Sequence, residues 1–357
     1  MSDVFWNKNV GERSRNSKLP KQVNILVIGG GLSGSSVVYW LSELYQHASI
    51  LLLERGELAS GATGKNGGHL KPVNTQEELC ARDLIRVITE NDLISDVELF
   101  IHQESPLGAQ VHPVKLVLAL CNLATRNKNV SIKTNCTVIK IDETIESHYD
   151  VQTSEGYIHA KKVIVTTNGF TNNLFPHLKE IIYPVRAQCV ATEPLDINNL
   201  IFPTNSNHFE RKHDMYILQR RTDGRIIAGG FRRSVPGEEE NIDDDSVINS
   251  TIRNHLKQWL IEDPRIKAKN IPNIKIEYEW TGIMGFTKDK NPLIGKLKDN
   301  LFISAGFNGH GMPVCFWASK TIACLLSYPN DDFLDNKLLS PYLIHSPQRF
   351  NFQQSKL

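Results

Sequence analysis

The chain has 357 residues, with 40 Lys and Arg against 39 Asp and Glu, a formal net charge of +1, and 40% hydrophobic residues. That length allows two domains, the balanced charge offers no stripe for nucleic acid, and no stretch of about 18 apolar residues could span a membrane. Six scattered cysteines show no C-x-x-C spacing and no metal-ligand pattern with histidine, so they read as buried, reduced thiols with no metal site.

Residues 1–21 are polar, mixed in charge and without the apolar core of a signal peptide, and they read as a flexible N-terminal segment. Val23 to Ile28 is a short apolar run of strand type, followed at once by Gly29-Gly30-Gly31-Leu32-Ser33-Gly34. Ser35 to His47 reads as a helix with Val37, Val38, Leu41, Leu44 and Tyr45 on one face, and Ser49 to Leu53 is a second buried strand ending at Glu54. Strand, G-x-G-x-x-G, helix, strand and acid together make a dinucleotide-binding unit. Gly29 permits the tight turn, Gly31 lets a pyrophosphate approach the backbone, and Gly34 lets the helix pack against the strand. The helix N-terminus offers N–H groups to the phosphates. Glu54, about twenty residues beyond Gly34, can accept bonds from ribose hydroxyls and would repel a 2′-phosphate.

Residues 59–70 form a second glycine-rich loop, which close backbone approach to a flat or charged ligand would explain. Gln76 to Asp96 and His112 to Arg126 read as helices, with little else between them. Val130 to Ile132, Thr137 to Ile141, the hairpin around Ser154-Glu155-Gly156, and Val163 to Thr167 read as strands. In the middle, Tyr183 to Thr192, the hairpin around Thr222-Asp223-Gly224, and Ile274 to Trp280 suggest antiparallel strands exposed on one face, with a helix over Asp245 to Ile261. The acidic run from Glu238 to Asp245 reads as a solvated loop. Leu301 to Ala305 returns as a buried strand, and Gly306 to Met312 turns into a helix over Pro313 to Leu326. The last three residues, Ser355-Lys356-Leu357, read as a peroxisomal address for an import receptor, with a cytoplasmic location as the alternative.

Taken in order, residues 29–34, Ser60 to Gly68, Thr166 to Thr171, Trp280 to Thr287, Asp289 with Asn291 to Gly295, and Gly306 to Met312 resemble the D-amino-acid-oxidase-like FAD oxidoreductases. That group includes glycine, sarcosine and γ-glutamylputrescine oxidases, and the resemblance runs from about residue 22 to 327. It implies an α/β fold: a discontinuous Rossmann-type FAD-binding domain (22–75, 108–169 and 282–330) with a smaller, trimmed antiparallel-sheet substrate domain (76–107 and 170–281) and a tail over 331–357. It also implies non-covalent FAD. Gly29, Gly31, Leu32, Ser33, Gly34, Glu54 and Arg55 would hold the ADP half. Ala62, Thr63, Asn66, Gly67, Gly68 and His69 would run beside the flavin ring, with Gly282 near it. Val138 would meet the adenine side, Thr167 and Asn168 the pyrophosphate. Gly306, Asn308, Gly309, His310, Gly311 and Met312 would place a helix N-terminus at the flavin edge, where it stabilises an anionic reduced ring.

Lys65 and His310 are the candidate catalytic residues, Lys65 as a promoter of oxygen reaction. The implied activity is oxidation of an amine or amino acid, a small-molecule substrate, with oxygen returning hydrogen peroxide. The alternatives are a dehydrogenase with another acceptor and a non-catalytic FAD-binding protein. Relatives that oxidise amino acids place a carboxylate-binding arginine where this chain has Met284. Methionine cannot replace a bidentate arginine, so Arg186, Arg220, Arg221, Arg232 and Arg233 become the candidate anchors.

Overall fold

The computed structural model describes residues 4–72, 74–101, 108–198, 200–202, 208–210, 214–269, 271 and 274–327. The tail bearing Ser355-Lys356-Leu357 lies outside the described residues. In chain order the elements are β1 (Gln22–Ile28), α1 (Leu32–Leu44), β2 (Ile50–Leu53), β3 (His69–Leu70), α2 (Thr75–Glu90), β4 (Phe100–Ile101), β5 (Ala109–Gln110) and α3 (Pro113–Ala124). Then come β6 (Val130–Lys133), β7 (Val138–Glu143), β8 (Tyr149–Thr153), β9 (Gly156–Val165), α4 (Thr171–Leu174), β10 (Ile182–Thr192), β11 (His208–Glu210), β12 (Met215–Gln219) and β13 (Ile226–Gly229). The series ends with α5 (Ser250–Glu262), α6 (Pro264–Ala268), β14 (Ile276–Thr287), β15 (Leu293–Lys298), β16 (Leu301–Ala305) and α7 (Gly311–Ser327).

The main sheet has the order β15-β16-β9-β1-β2-β6, with β8 paired to the first half of β9, ahead of the residues that pair with β16, and β7 paired to β8. Strands β16, β9, β1, β2 and β6 run parallel. Their apolar runs are continuous because both faces are buried. Ile25, Val27, Ile50 and Leu52 point into the core under α1, α3 and α7, while Leu26, Ile28, Leu51 and Leu53 point to the core that Tyr149 and Val151 close from the β7–β8 side. The carboxyl ends of β1, β2, β9 and β16 therefore open at one edge, where α/β sheets place their ligands.

The second sheet, β11-β12-β13-β10-β14, is antiparallel. Its strands were expected to be exposed on one face, but both faces are covered over most of the sheet, and Tyr183 and Ala187 of β10 with Met284 and Phe286 of β14 are left half-buried. Cys189, Ala191, Leu218, Ile227 and Trp280 join the first core, and Val190, Ile217, Ile226 and Ala228 pack beneath Ile252, Leu256 and Leu260 of α5. β14 runs on past the expected end at Trp280 to Thr287, so the whole Trp280-to-Thr287 motif lies on a strand. The helix expected from Asp245 starts at Ser250, because Asn249 accepts bonds from the amides of Thr251 and Ile252.

Two further expectations change. Residues 76–112 hold more than a helix: β3, β5 and β4 pair into a small antiparallel sheet, and α2 packs on α7 through Lys320 and Asp83, not on the antiparallel sheet. The N-terminal segment, read as flexible, carries Phe5 at 6% and Trp6 at 2% exposure into the main core. The six cysteines are free, as their spacing suggested.

Candidate functional site

Gly29 leaves β1 with φ +113, its amide donating to Leu53 O at 2.8 Å. A Cβ there would lie 2.8 Å from Thr166 O, and a Cβ at Gly34 would lie 1.8 Å from Gly29 O. Both glycines are required by close packing of turn, helix and β9. Helix α1 has Gly31 as its N-cap and no capping side chain. Its dipole and the amides beyond Leu32 thus face the sheet edge. Leu32 N donates to Thr63 Oγ1 at 2.9 Å, which fixes the second glycine-rich loop over the helix start. The Ser33 hydroxyl sits 3.1 Å from Ser304 Oγ on β16.

Glu54 is 9% exposed. Its carboxylate accepts from Gly30 N at 2.6 Å and Gly56 N at 2.9 Å, which pins it at the end of β2. Cys136 N donates to Glu54 O, which brings the turn before Val138 to the same end. Arg55, by contrast, stacks its guanidinium over the Phe170 ring at 3.8 Å.

The loop from Ala62 makes a short 3-10 turn through Lys65. Asn66 then joins it to the far glycine turn: its Nδ2 donates to Thr63 O at 2.8 Å and lies 3.2 Å from Met312 Sδ, and its Oδ1 accepts from Gly68 N. Gly67 and Gly229 clamp the Tyr216 ring, since a Cβ on either would approach it to 2.4 Å. The Tyr216 hydroxyl meets Cys189 Sγ at 2.7 Å, and burial raises both of their pKa values, Cys189 to about 12. His69 lays its ring against Gly67, edge-on to Tyr216 with Nε2 3.3 Å from Ile217 O.

Asn168 and Asn308 serve as fasteners. Asn168, with φ +47, accepts from Gly306 N at 2.9 Å. Asn308 accepts from Thr287 N at 2.8 Å and donates to Gly306 O at 2.7 Å, tying the turn to β14. Thr167 bonds Thr171 across the start of α4. His310 is half-buried in the turn, its amide donating to Phe307 O. Gly311 opens α7.

Opposite these turns, one face of the antiparallel sheet forms a floor. By register, Tyr183 pairs with Phe286, Val185 with Met284, and Ala187 with Gly282. A Cβ on Gly282 would meet Lys65 Cβ at 2.8 Å, and one on Gly309 would meet Met284 Sδ at 3.4 Å and Phe286 Cζ at 3.9 Å. Tyr183, Ala187, Met284 and Phe286 are all half-buried, so the floor abuts both glycine-rich turns and keeps side-chain surface open. Sequence reasoning missed Phe286 and the role of Trp280, whose Nε1 donates to Lys65 O at 2.9 Å. An alternation of large and small residues through Trp280-Thr281-Gly282-Ile283-Met284-Gly285-Phe286 was the signal.

The acidic run is a solvated loop only in part: Glu240, Asn241, Asp243 and Asp244 are exposed, but Glu239 and Asp245 turn inward. Glu239 is 6% exposed and pairs with Arg186 Nε at 2.5 Å, Val185 and Glu240 form a bridge, and Asp245 Oδ2 lies 2.5 Å from Lys65 Nζ. The segment straps the open side of β10 where β13 runs out. This also settles the candidate arginines. Arg186 is committed to Glu239, and Arg220 to Glu98. Arg232 stacks 5.1 Å over Phe286 but has Asp214 and Glu238 on its edges. Arg221 lines a small cleft beside Trp6 and Glu98, and Arg233 is exposed near Glu238. Among the described residues no group of three His, Cys, Asp or Glu could hold a metal ion.

This edge presents backbone amides, a helix start whose own N-cap is glycine, and a fixed carboxylate acceptor, which is what a dinucleotide requires. Residues 24–98 and 100–325 match the family described as FAD dependent oxidoreductase, DAO. The chain belongs to that family. FAD is therefore the dinucleotide, and the cradle fits it. Among curated relatives, the chain is 28% identical to gamma-glutamylputrescine oxidoreductase of Escherichia coli (strain K12) over 222 residues, 61% of this chain and 48% of that protein. It is 22% identical over 213 residues to the probable oxidoreductase OrdL of Rhizobium meliloti (strain 1021), 60% of this chain and 46% of that one. The chain thus spans about half the length of the curated relatives it matches. Among solved structures, L-proline dehydrogenase from P. horikoshii superposes with a TM-score of 0.71 at 19% identity, over 89% of this chain and 96% of that one. Glycine oxidase from Bacillus cereus ATCC 14579 gives 0.69 at 17% identity, over 87% and 97%. At these identities the likeness shows a shared fold.

Proposed function

We propose that this chain oxidises the C–N bond of an amine or amino acid. The observation that carries this reading is the meeting of the half-buried floor, Tyr183, Met284 and Phe286, with both glycine-rich turns. When bound, FAD supplies a two-electron acceptor for hydride from the carbon beside nitrogen, and oxygen regenerates it with release of hydrogen peroxide. Gly29 to Gly34 and Glu54 would hold its ADP half, and Ala62 to Gly68 with Gly306 to Met312 its ring, all without a covalent bond. The floor would orient the substrate, and its aromatic faces would hold an amine through its apolar carbons and attract its ammonium form. Each described arginine near the floor has its edges occupied by carboxylates, so a substrate without a free carboxylate at the reacting carbon fits best.

One observation favours a second reading, a dehydrogenase with an acceptor other than oxygen: the Lys65 cation, our candidate promoter of oxygen reaction, is neutralised by Asp245 at 2.5 Å. The test of both is anaerobic. Purified protein should yield its yellow colour to the supernatant on acid precipitation. A panel of primary amines, N-methyl amino acids and D-amino acids should then bleach the flavin band, primary amines fastest. Return of colour with peroxide on admitting air supports the oxidase, and slow return without peroxide supports the dehydrogenase. Flavin that dithionite reduces but no panel member does would sink both in favour of a non-catalytic flavoprotein.

A further inference from the structure

The N-terminal segment touches the stretch from Glu57 to Gly68 at both ends. Trp6 Nε1 donates to Asn66 O at 2.7 Å, and the Trp6 ring lies where a Cβ on Gly68 (φ +74) would come within 2.8 Å. Phe5 stacks on Trp280 at 6.5 Å between ring centroids, and Trp280 holds Lys65 O. Two neighbouring aromatics therefore grip two neighbouring carbonyls of the loop, one directly and one through Trp280. The grip continues across the site, because the Asn66 side chain reaches Met312 at the start of α7.

The same segment returns at the other end of the stretch. Arg13 Nε donates to Leu58 O at 2.9 Å, Leu58 N donates back to Arg13 O at 3.1 Å, and Arg13 pairs with Glu57 at 3.3 Å. Arg15 then exchanges bonds with Thr134, beside the turn that bonds Glu54 and Gly56. The aromatic end is itself boxed in. Arg220 lies over the rings of Phe5 at 4.7 Å and Trp6 at 5.2 Å, and His112 meets Trp6 edge-on at 4.9 Å.

We infer that residues 5–15 are a cofactor-retention strap, with Trp6 and Arg13 as positioning residues that hold the 57–68 loop in its FAD-binding shape. A loop this rich in glycine has many conformations open to it, and ordering it opposes binding unless the apoprotein is already ordered. The strap supplies that order through the carbonyls of Leu58, Lys65 and Asn66 and takes a single loop amide, that of Leu58. It acts on FAD affinity, independently of which substrate the site takes.

The test uses the full chain stripped of FAD, with the dissociation constant followed by flavin fluorescence and the apoprotein melting temperature measured in parallel. Trp6→Phe keeps an aromatic ring and removes the N–H bond to Asn66. Arg13→Lys keeps the charge and removes the Nε bond to Leu58. Each should raise the FAD dissociation constant about three- to tenfold, the worth of one hydrogen bond, and the double variant should multiply the two effects. Protease cleavage of the apoprotein within 57–68 should quicken in step. Unchanged FAD affinity in both variants, with or without a lower apoprotein melting temperature, would overturn the strap and leave these residues as core packing alone. Failure of the unaltered chain to bind FAD would overturn the cofactor reading itself, and the wild-type titration distinguishes that outcome from failure of the strap.

Discussion

The carboxyl edge of the parallel sheet and the floor of the antiparallel sheet face the same space and are built on opposite principles. At the sheet edge the backbone makes the site: Gly29 and Gly34 touch, α1 opens on an uncapped glycine, and Glu54 is locked by two amides. At the floor the side chains make it: Tyr183, Met284 and Phe286 project from a regular ladder whose backbone is consumed by pairing. A site made of backbone constrains the sequence tightly, because few residues other than glycine fit. A site made of side chains on a ladder can change its residues without changing the fold.

The sharpest way to break this contrast is to alter one residue in each region. Gly34→Ala puts a methyl 1.8 Å from Gly29 O, a clash the backbone must move to relieve. It should cost about 3 kcal/mol or more and purify largely free of FAD. Phe286→Ala removes half-buried surface from the floor and should keep its flavin, with kcat/KM down about tenfold, roughly 1.4 kcal/mol of transition-state binding. The flavin-to-protein absorbance ratio decides between them. Full FAD content in Gly34→Ala, or loss of FAD in Phe286→Ala, would erase the distinction.

Lys65 and Asp245 are the point where the two regions meet, one from each. Removing the carboxylate as Asp245→Asn leaves a cation of 16% exposure beside the loop that holds the cofactor. Such a charge attracts an anion forming nearby and is weakly screened when partly buried. Oxygen consumption by the substrate-reduced protein should rise about three- to tenfold, about 1 kcal/mol, and Lys65→Met should abolish the gain when combined with it. Identical reoxidation rates in the three proteins would remove Lys65 from the reaction with oxygen.

How much of this was legible follows from the same contrast. Gly29 to Gly34, Glu54 and the Gly306 turn announced the parallel edge, since turn chemistry and ligand contact leave local marks in sequence. Of the floor only the strand bearing Tyr183 was legible, because Met284 and Phe286 lie beyond the expected strand end at Trp280 and the register pairing Tyr183 with Phe286 joins residues about a hundred positions apart. Phe5 and Trp6 were passed over for a related reason. Two adjacent aromatics in a polar stretch mark burial, but their partners, Asn66, Trp280 and Arg220, lie too far along the chain to show a pattern. The acidic run misled in the opposite direction: charge density suggests solvent, while Glu239 and Asp245 each have a cation waiting on another element.

His112 lies on the seam between the two regions and offers an effect that is read in stability and not in turnover. It caps α3, its Nδ1 accepting from Lys115 N at 3.4 Å, and its ring meets Trp6. Burial pushes its pKa down to about 3; Glu98 opposes this, while Arg220 and Lys115 add to it. An unfolded histidine titrates near ~6.5, so between the two values the unfolded chain takes up a proton that the folded chain refuses. The neutral ring's contribution is therefore complete above that unfolded value and is lost as pH falls toward about 3. The slope is at most about 1.4 kcal/mol per pH unit, or roughly 2 kcal/mol by pH ~5. Asparagine can still accept the capping bond and does not titrate. In chemical denaturation from pH 7 to 5, His112→Asn should lose less stability than the wild type by about that amount. Parallel losses in the two proteins would mean that His112 is protonated in the folded state, and that the seam between cradle and floor admits a charge its burial argues against.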